Sequence, residues 1–355
     1  MGKTPTRQYG IEWLRVWAMF FITFGHLYGH PTGGGAMSEG ARLPMAFILP
    51  LGMGAVDCFI LTTGYFGIRQ ERAISKVLSI YAELVFYGVA IACIFLFVPA
   101  HRAMPVHFLK SLFPLLPTTF NYWFVTKYLG LLLLSPFINR LLNSLGKRGL
   151  LALSAVVLFL NLSMFANGLF PWGSQYGGGW TLMWFICLYI CGHAIRRFKA
   201  ELMKVPKMLY GGVWILLYAA YVSNGVWHCL KWADLGYNSM FTFTTAVCLF
   251  LLAASLKNCP EYVIGWLSPG IFSVYILHSN YFIRQVLADD VLSLMQRYGY
   301  SSPLGLIVLT IAIFVISVFI DHGRIWLFRI LHIDTLCQAI GARINSLCQS
   351  KTVTA

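Results

Sequence analysis

Arg15-Val16-Trp17-Ala18-Met19-Phe20-Phe21-Ile22-Thr23-Phe24-Gly25-His26 is an apolar run with a fixed cation at one end and an imidazole at the other. On an α-helix at about 100° per residue, His26 returns to within roughly 20° of Arg15, and a rise of about 1.5 Å per residue sets the two about 16 Å apart along the axis. The pair therefore occupies one face at two depths. An ionisable group inside a hydrophobic span is costly, so it usually faces a bundle interior or a wet cavity. A snorkelling arginine and a hydrogen-bonded core histidine give the same pattern, and that second reading stays open here.

Hydrophobic residues make up 58% of the 355-residue chain and charged residues 11%. With a mean hydropathy of +0.71, these values exclude a soluble globular domain and indicate a polytopic membrane protein. The 11 Trp and 18 Tyr suit a protein with many helix ends at membrane interfaces. A net charge of +14 would admit nucleic acid, but the cations form short tracts between apolar runs and no basic domain, so no nucleic-acid partner is expected. The nine cysteines lie mostly inside apolar runs with no disulfide or zinc spacing, and Cys187 with Cys191 reads as packing. Residues 1–10 are polar and no small-residue cleavage site follows the first span, which reads as a retained helix and not a signal peptide.

Ten apolar spans can be drawn, at roughly 11–29, 46–66, 77–98, 118–138, 149–166, 180–197, 208–224, 239–256, 263–287 and 304–322. The expected fold is all-α, a polytopic membrane protein with about ten transmembrane helices. An even count puts both termini on one side. On that side the loops carry 18 Lys and Arg against 5 on the other, with Arg15, Lys127 and Arg284 inside spans, so both termini are expected in the cytoplasm. Residues 1–322 form the expected membrane-embedded domain. Residues 323–355 form a cytoplasmic tail with amphipathic character, Ile325, Leu327, Phe328, Leu331 and Ile333 lying beside Arg324, Arg329 and His332. The outer loops are rich in Gly, Trp and Tyr, as in Trp172 to Gly179 and Trp227 to Tyr237, which fits stacking against sugars or seating at the interface.

Asp57 falls near the midplane of the inward-running second span, where an isolated carboxylate would be neutralised or paired. His278 lies about 22 Å along the outward-running ninth span. His26, Asp57 and His278 are therefore expected at similar depth. A carboxylate near an imidazole raises its basicity and fixes its tautomer; two unrelated core polar pairs are the alternative. Lys127, with Asn121, Trp123 and Tyr128, sits early in the fourth span and reads as snorkelling to the outer interface. Glu83 is expected to pair with Lys76 or Arg72, and Thr62-Thr63-Gly64-Tyr65 to let two helices approach closely. His30 follows His26 by four residues, but no further ligand cluster supports a metal site.

At these residues the chain resembles the integral-membrane acyltransferase 3 family, in particular its bacterial surface-polysaccharide branch. The resemblance covers nearly the whole chain. Its strongest mark is the Arg-x10-His element of Arg15 and His26. It is supported in order by Gly54-Ala55-Val56-Asp57-Cys58-Phe59 through Thr63-Gly64-Tyr65, by Asn121-Tyr122-Trp123-Phe124 on to Tyr128 and Ser135-Pro136, by Trp184-Phe185 through Tyr189-Ile190-Cys191-Gly192, and by Ser273-Val274-Tyr275-Ile276-Leu277-His278. Thr63 stands where the family often has Ser, and the hydroxyl survives.

The resemblance implies transfer of an acyl group, commonly acetyl from acetyl-CoA, to a hydroxyl of a cell-envelope carbohydrate at the bacterial cytoplasmic membrane. It implies no permanently bound cofactor, with acyl-CoA as co-substrate and an envelope glycan or lipid-linked saccharide as acceptor. Arg15, Arg69 and Arg72 would then meet the donor phosphates. His26, with Asp57 and His278, would serve the chemistry. Tyr65, Asn121, Trp123, Lys127, Tyr128 and Tyr275 would support the site or the acceptor. A transporter or flippase of an acyl compound or lipid-linked sugar would use the same buried polar groups, and Pro50 and Pro269 offer the broken spans such proteins use.

Overall fold

In the computed structural model, which describes residues 8–29, 39–67, 73–115, 122–162, 177–227, 236–256 and 259–349, the apolar runs form helices and no described residue lies in a β-strand. In chain order the helices are α1 (Tyr9–Tyr28), α2 (Glu39–Ile48), α3 (Ala55–Phe66), α4 (Ala73–Phe95), α5 (Pro105–Leu112), α6 (Trp123–Ser144), α7 (Lys147–Asn161), α8 (Leu182–Arg197) and α9 (Lys199–Leu202). They continue with α10 (Lys207–Trp227), α11 (Met240–Ala254), α12 (Glu261–Leu267), α13 (Ile271–Ser279), α14 (Tyr281–Gln285), α15 (Ser293–Arg297), α16 (Pro303–Ile330) and α17 (Ile333–Gln349). Polar residues start several of them. The side chains of Thr181, Ser239, Asn280 and Ser302 each accept a hydrogen bond from a backbone N–H of the helix that follows, at 3.1 to 3.2 Å.

Among the described residues, four stretches are long and apolar enough to cross a bilayer: Ala41–Phe66, Ala73–Phe95, Lys207–Trp227 and Pro303–Ile330. The ten spans drawn from the sequence divide differently. α7, α8 and α11 have 15, 16 and 15 residues, fewer than the about 20 that a membrane-spanning helix needs. The second span is interrupted, because Leu49–Gly52 tightens to a 3-10 turn at Pro50 and Gly54 takes a φ of 80° before α3 begins. The ninth is a series of short pieces. A 3-10 turn at Ser268–Gly270 carries Pro269, α13 ends at Ser279, and a π-helix runs over Val286–Leu292. The tenth continues past 322 to Ile330. The chain then turns at His332, whose φ is 52°. Beyond it α17 packs on α4, with Ser79 Oγ donating to Asp334 Oδ1 at 2.9 Å.

α8 buries Trp184, Phe185 and the run from Cys187 to Gly192, so it is apolar nearly all round and sits in the interior. α3 lies directly on it. A Cβ on Gly64 would come within 2.2 Å of the Tyr189 carbonyl oxygen, and one on Gly192 within 2.3 Å of the Leu61 oxygen. The expected close approach at Thr62-Thr63-Gly64-Tyr65 is thus a backbone contact between α3 and α8 that only glycine permits. Arg196, at the end of α8, donates to the Phe66 carbonyl at 2.8 Å and closes the C-terminus of α3.

A second tie joins α4 to α16. Arg324 forks onto Asp321 at 2.7 and 3.1 Å, stands 3.7 Å from Glu83, and Tyr87 donates to Asp321 at 2.7 Å. Glu83 therefore meets Arg324 across the bundle, not the Lys76 about two turns before it on α4. The outward faces are apolar. Leu304, Val308, Ile311, Val315 and Phe319 on α16, and Met208, Ile215 and Leu216 on α10, are all exposed, as lipid-facing surfaces require.

The Gly64 contact makes a direct prediction. Gly64→Ala should destabilise by about 1–3 kcal/mol, the cost of overpacking, and lower the thermal midpoint in detergent. Gly211→Ala, on the open face of α10 where nothing lies within 4 Å, should hold or raise it, since alanine is the better helix former by about 0.5–1 kcal/mol. Equal midpoints for the two variants would contradict the packing.

Candidate active site

Arg15 and His26 occupy the first and last parts of α1, and each opens into its own cavity. Arg15 lines a cavity of about 290 Å³ together with Thr63, Lys76, Glu83 and Tyr128. Its guanidinium donates to Glu12 Oε2 at 2.9 Å and stays 30% exposed, so it is held by one carboxylate with donors left for a ligand. The Tyr128 hydroxyl is 3.5 Å from Thr63 Oγ1 and within hydrogen-bonding reach of Lys76. The cavity is thus lined by two cations, by the hydroxyl-bearing Thr62, Thr63 and Tyr128, and by Glu83.

His26 lines a larger cavity of about 600 Å³ with Trp123, Trp180, Tyr275, His278 and Arg284. It also borders a cavity of about 390 Å³ against Gly54 and Tyr237, so its exposed ring stands between two open spaces. The rings of Trp123 and Trp180 lie 4.5 Å apart, with Tyr237 5.5 Å from Trp180, giving the site an aromatic wall. The same three elements serve both ends. α1 carries Arg15 and His26, α6 carries Tyr128 and Trp123, and α13 carries Phe272 and His278. Phe124, facing the Arg15 cavity, and Tyr275, facing the His26 cavity, meet at 5.7 Å and form the partition.

His26 Nδ1 is 2.8 Å from His278 Nε2, and His278 Nδ1 is 2.5 Å from the Val274 carbonyl oxygen one turn back on α13. A carbonyl only accepts, so the proton of His278 is on Nδ1. With both rings neutral, His278 Nε2 then carries a lone pair and accepts from His26 Nδ1–H. The remaining nitrogen of His26, Nε2, is left with its lone pair, the form that can take a proton or attack a carbonyl. α13 is itself braced: Tyr122 donates to the Ile276 carbonyl at 3.2 Å, and Asn280 Nδ2 donates to Tyr122 at 3.4 Å.

Asp57 does not join the imidazoles. It is fully buried at the start of α3, and its Oδ1 accepts from Trp184 Nε1 of α8 at 3.1 Å. Its neighbours Gly54, Ala55 and Val56 face the His26 side. The carboxylate is turned toward α8 because the buried indole N–H there needs an acceptor. The partner that orients the histidine pair is the Val274 carbonyl, which no side-chain inventory of the sequence could supply.

Of the remaining sequence-expected residues, Trp123 and Tyr275 line the His26 cavity and Tyr128 the Arg15 cavity. Tyr65 is buried with its ring against Phe250 at 5.1 Å and its hydroxyl 3.4 Å from Gln8 Oε1, away from both cavities. Lys127 is half-buried on α6 and lines neither. Arg69, Arg72, Asn121 and His30 lie outside the described residues. Three site residues were not anticipated: Glu12 on Arg15, Lys76 beside Tyr128, and Arg284 beside the histidine pair. Arg284 had a signal, being one of three cations inside apolar spans. Among the described residues no group of three His, Cys, Asp or Glu is gathered as for a metal ion.

A cationic cavity and an imidazole relay at two depths of one helix suit the transfer of a group between two bound substrates. No curated protein and no solved structure matches the chain. The sequence profile of the acyltransferase domain matches residues 8–322, from the residue before α1 to within α16, and takes in every residue of the two cavities. By that match, the chain belongs to the acyltransferase 3 family.

Proposed function

We propose that this membrane acyltransferase moves an acetyl group from cytoplasmic acetyl-CoA to a hydroxyl of a cell-envelope carbohydrate at the bacterial cytoplasmic membrane. The observation that carries the reading is the pair of cavities set end to end along α1, one with Arg15 and Lys76, the other with His26 and His278. With about ten spans and both termini in the cytoplasm, as the cation distribution favours, the Arg15 cavity opens inward, where the anionic donor is made. The separation of about 16 Å between Arg15 and His26 suits an extended pantetheine arm. The thioester then passes the Phe124–Tyr275 partition to reach His26.

In the transfer, His26 Nε2 takes the proton of the acceptor hydroxyl as its oxygen attacks the thioester carbonyl. The tetrahedral intermediate collapses with loss of the thiolate of coenzyme A, and the proton on His26 returns to the sulfur. His278 holds the ring in the Nε2-basic tautomer and shares the charge while the proton is on it. Trp123, Trp180 and Tyr237 offer faces on which a sugar ring can stack. A second reading, a transporter of an acylated or lipid-linked sugar, is favoured by the broken helices beside the cavity, at Ser268–Gly270 and between α13 and α14. A thioester-dependent acylation assay on the purified protein separates the two.

In that assay His26→Ala should lose about 10²- to 10⁴-fold in rate while the protein still inserts and elutes as a single species. His278→Ala should lose less, and the double variant should be no slower than His26→Ala alone, because the two rings act as one unit. Near-normal acylation by folded His26→Ala would remove the mechanism and favour transport. Arg15→Ala should raise the KM for acetyl-CoA more than it lowers kcat, with lysine a partial rescue, since phosphate contacts form in ground and transition states alike. A collapse of kcat at unchanged donor KM would assign Arg15 to the chemistry instead.

The topology has its own check. In a Cys93→Ser, Cys229→Ser background, which removes the thiol exposed among the described residues and the one on the expected outer loop, an impermeant thiol reagent added to intact cells should label Tyr300→Cys, on an exposed outer turn, and leave Ser144→Cys, at the inner end of α6, unlabelled. The reverse pattern would invert the orientation.

A further inference from the structure

Among the described residues, Arg284 is the one side chain with a fixed positive charge on the wall of the His26 cavity, and none of those residues brings a carboxylate to that wall. The guanidinium is exposed to the cavity and close enough to both imidazoles for its charge to act on them. Among the described residues it forms no ion pair and no side-chain hydrogen bond. Of its nearest acidic neighbours on the chain, Asp290 is bonded to His101 Nε2 at 3.1 Å. Nor does the backbone explain it as a helix cap. Arg284 donates its N–H to the Asn280 carbonyl at 2.8 Å, inside the short helix that precedes the π-helix.

That π-helix, Val286–Leu292, supplies Leu287, Ala288 and Leu292 to the same wall. π-helical turns inside helices recur at functional sites, because the extra residue swings a face toward a ligand. The cavity is therefore lined by the adjacent rings of Trp123 and Trp180, by a base, and by a guanidinium that has no counter-ion among the described residues. A planar fork of donors in such a place matches a carboxylate or a phosphate with two parallel hydrogen bonds, and a neutral sugar leaves it unpaired.

We infer that the acceptor is anionic: the His26 cavity binds a saccharide that carries a carboxylate or phosphate group, which Arg284 engages while the hydroxyl to be acylated faces His26. This deepens the acyltransferase reading and rests on it for the word acceptor, but the binding preference does not need the reaction. Acidic sugars and sugar phosphates present the same chemistry to Arg284, and the probes below tell them apart.

The test is equilibrium binding to the full chain in detergent or nanodiscs with no acyl donor present, using methyl β-D-glucuronide, glucose 1-phosphate and methyl β-D-glucoside. Wild-type protein should bind at least one of the two anions about tenfold or more tightly than the glucoside, the scale of a charge-assisted bidentate contact. Preference for the glucuronide alone would indicate an acidic sugar, and for the phosphate alone a phosphate-bearing saccharide. R284Q should erase the difference, and R284K should keep part of it, which separates loss of the contact from loss of the fold. No anion preference in wild type, or an undiminished one in folded R284Q, overturns the proposal. So does a uniform loss of turnover in R284Q with charged and neutral acceptors alike, which would make the guanidinium part of the chemistry. A protein that shows the preference but transfers no acyl group would defeat the acyltransferase reading and leave the anion site standing.

Discussion

Polar side chains placed among apolar helices have to find partners on another helix, because neither lipid nor core can supply them. That constraint fixes this bundle. Asp57 on α3 is held by Trp184 on α8, Asp321 and Arg324 on α16 by Tyr87 and Glu83 on α4, and His26 on α1 by His278 on α13. Each pair joins helices that are distant in sequence. The glycine contact of α3 on α8 brings the first pair within reach, since a side chain at Gly64 or Gly192 would hold the two backbones apart.

The histidine pair differs from the other two in being open. Asp57 and Asp321 are fully buried, and their bonds can only hold helices together. The His26 ring faces two cavities and keeps one nitrogen free for a ligand. Its orientation comes from a backbone carbonyl on a helix that ends one residue past His278 and is braced by Tyr122 and Asn280. Breaking the ninth span there costs hydrogen bonds but lets α13 and α14 present His278 and Arg284 to the same cavity. A straight helix would spread residues 278, 284, 287 and 288 over about half its circumference.

The separation of the two cavities by Phe124 and Tyr275 follows from the same geometry. α1 packs on α13, while α6 packs on α4 and α8 and reaches the two cavities through Trp123, Phe124 and Tyr128. Two chambers on one set of helices would give the proposed donor and acceptor separate ways to one imidazole. The cation lies at one end of that path and the base at the other.

Much of this was legible in the chain. The spacing of Arg15 and His26 is enough to put them on one face at two depths, because helix geometry is local and invariant. Composition determined a helical membrane protein, and the motifs marked by the resemblance determined the family. Thr62-Thr63-Gly64 declared a close helix contact. What the sequence could not carry was lateral placement. It put His26, Asp57 and His278 at one depth, and depth follows from counting residues; which of them meet depends on how the helices rotate and cross. Asp57 went to an indole, Glu83 to an arginine more than 240 residues away, and the orienting partner of His278 proved to be a carbonyl, a group every residue has and no motif can mark. The breaks in the second and ninth spans belong to the same class. Proline and glycine announced where the helices yield, and only the packed neighbours decided which way they turn.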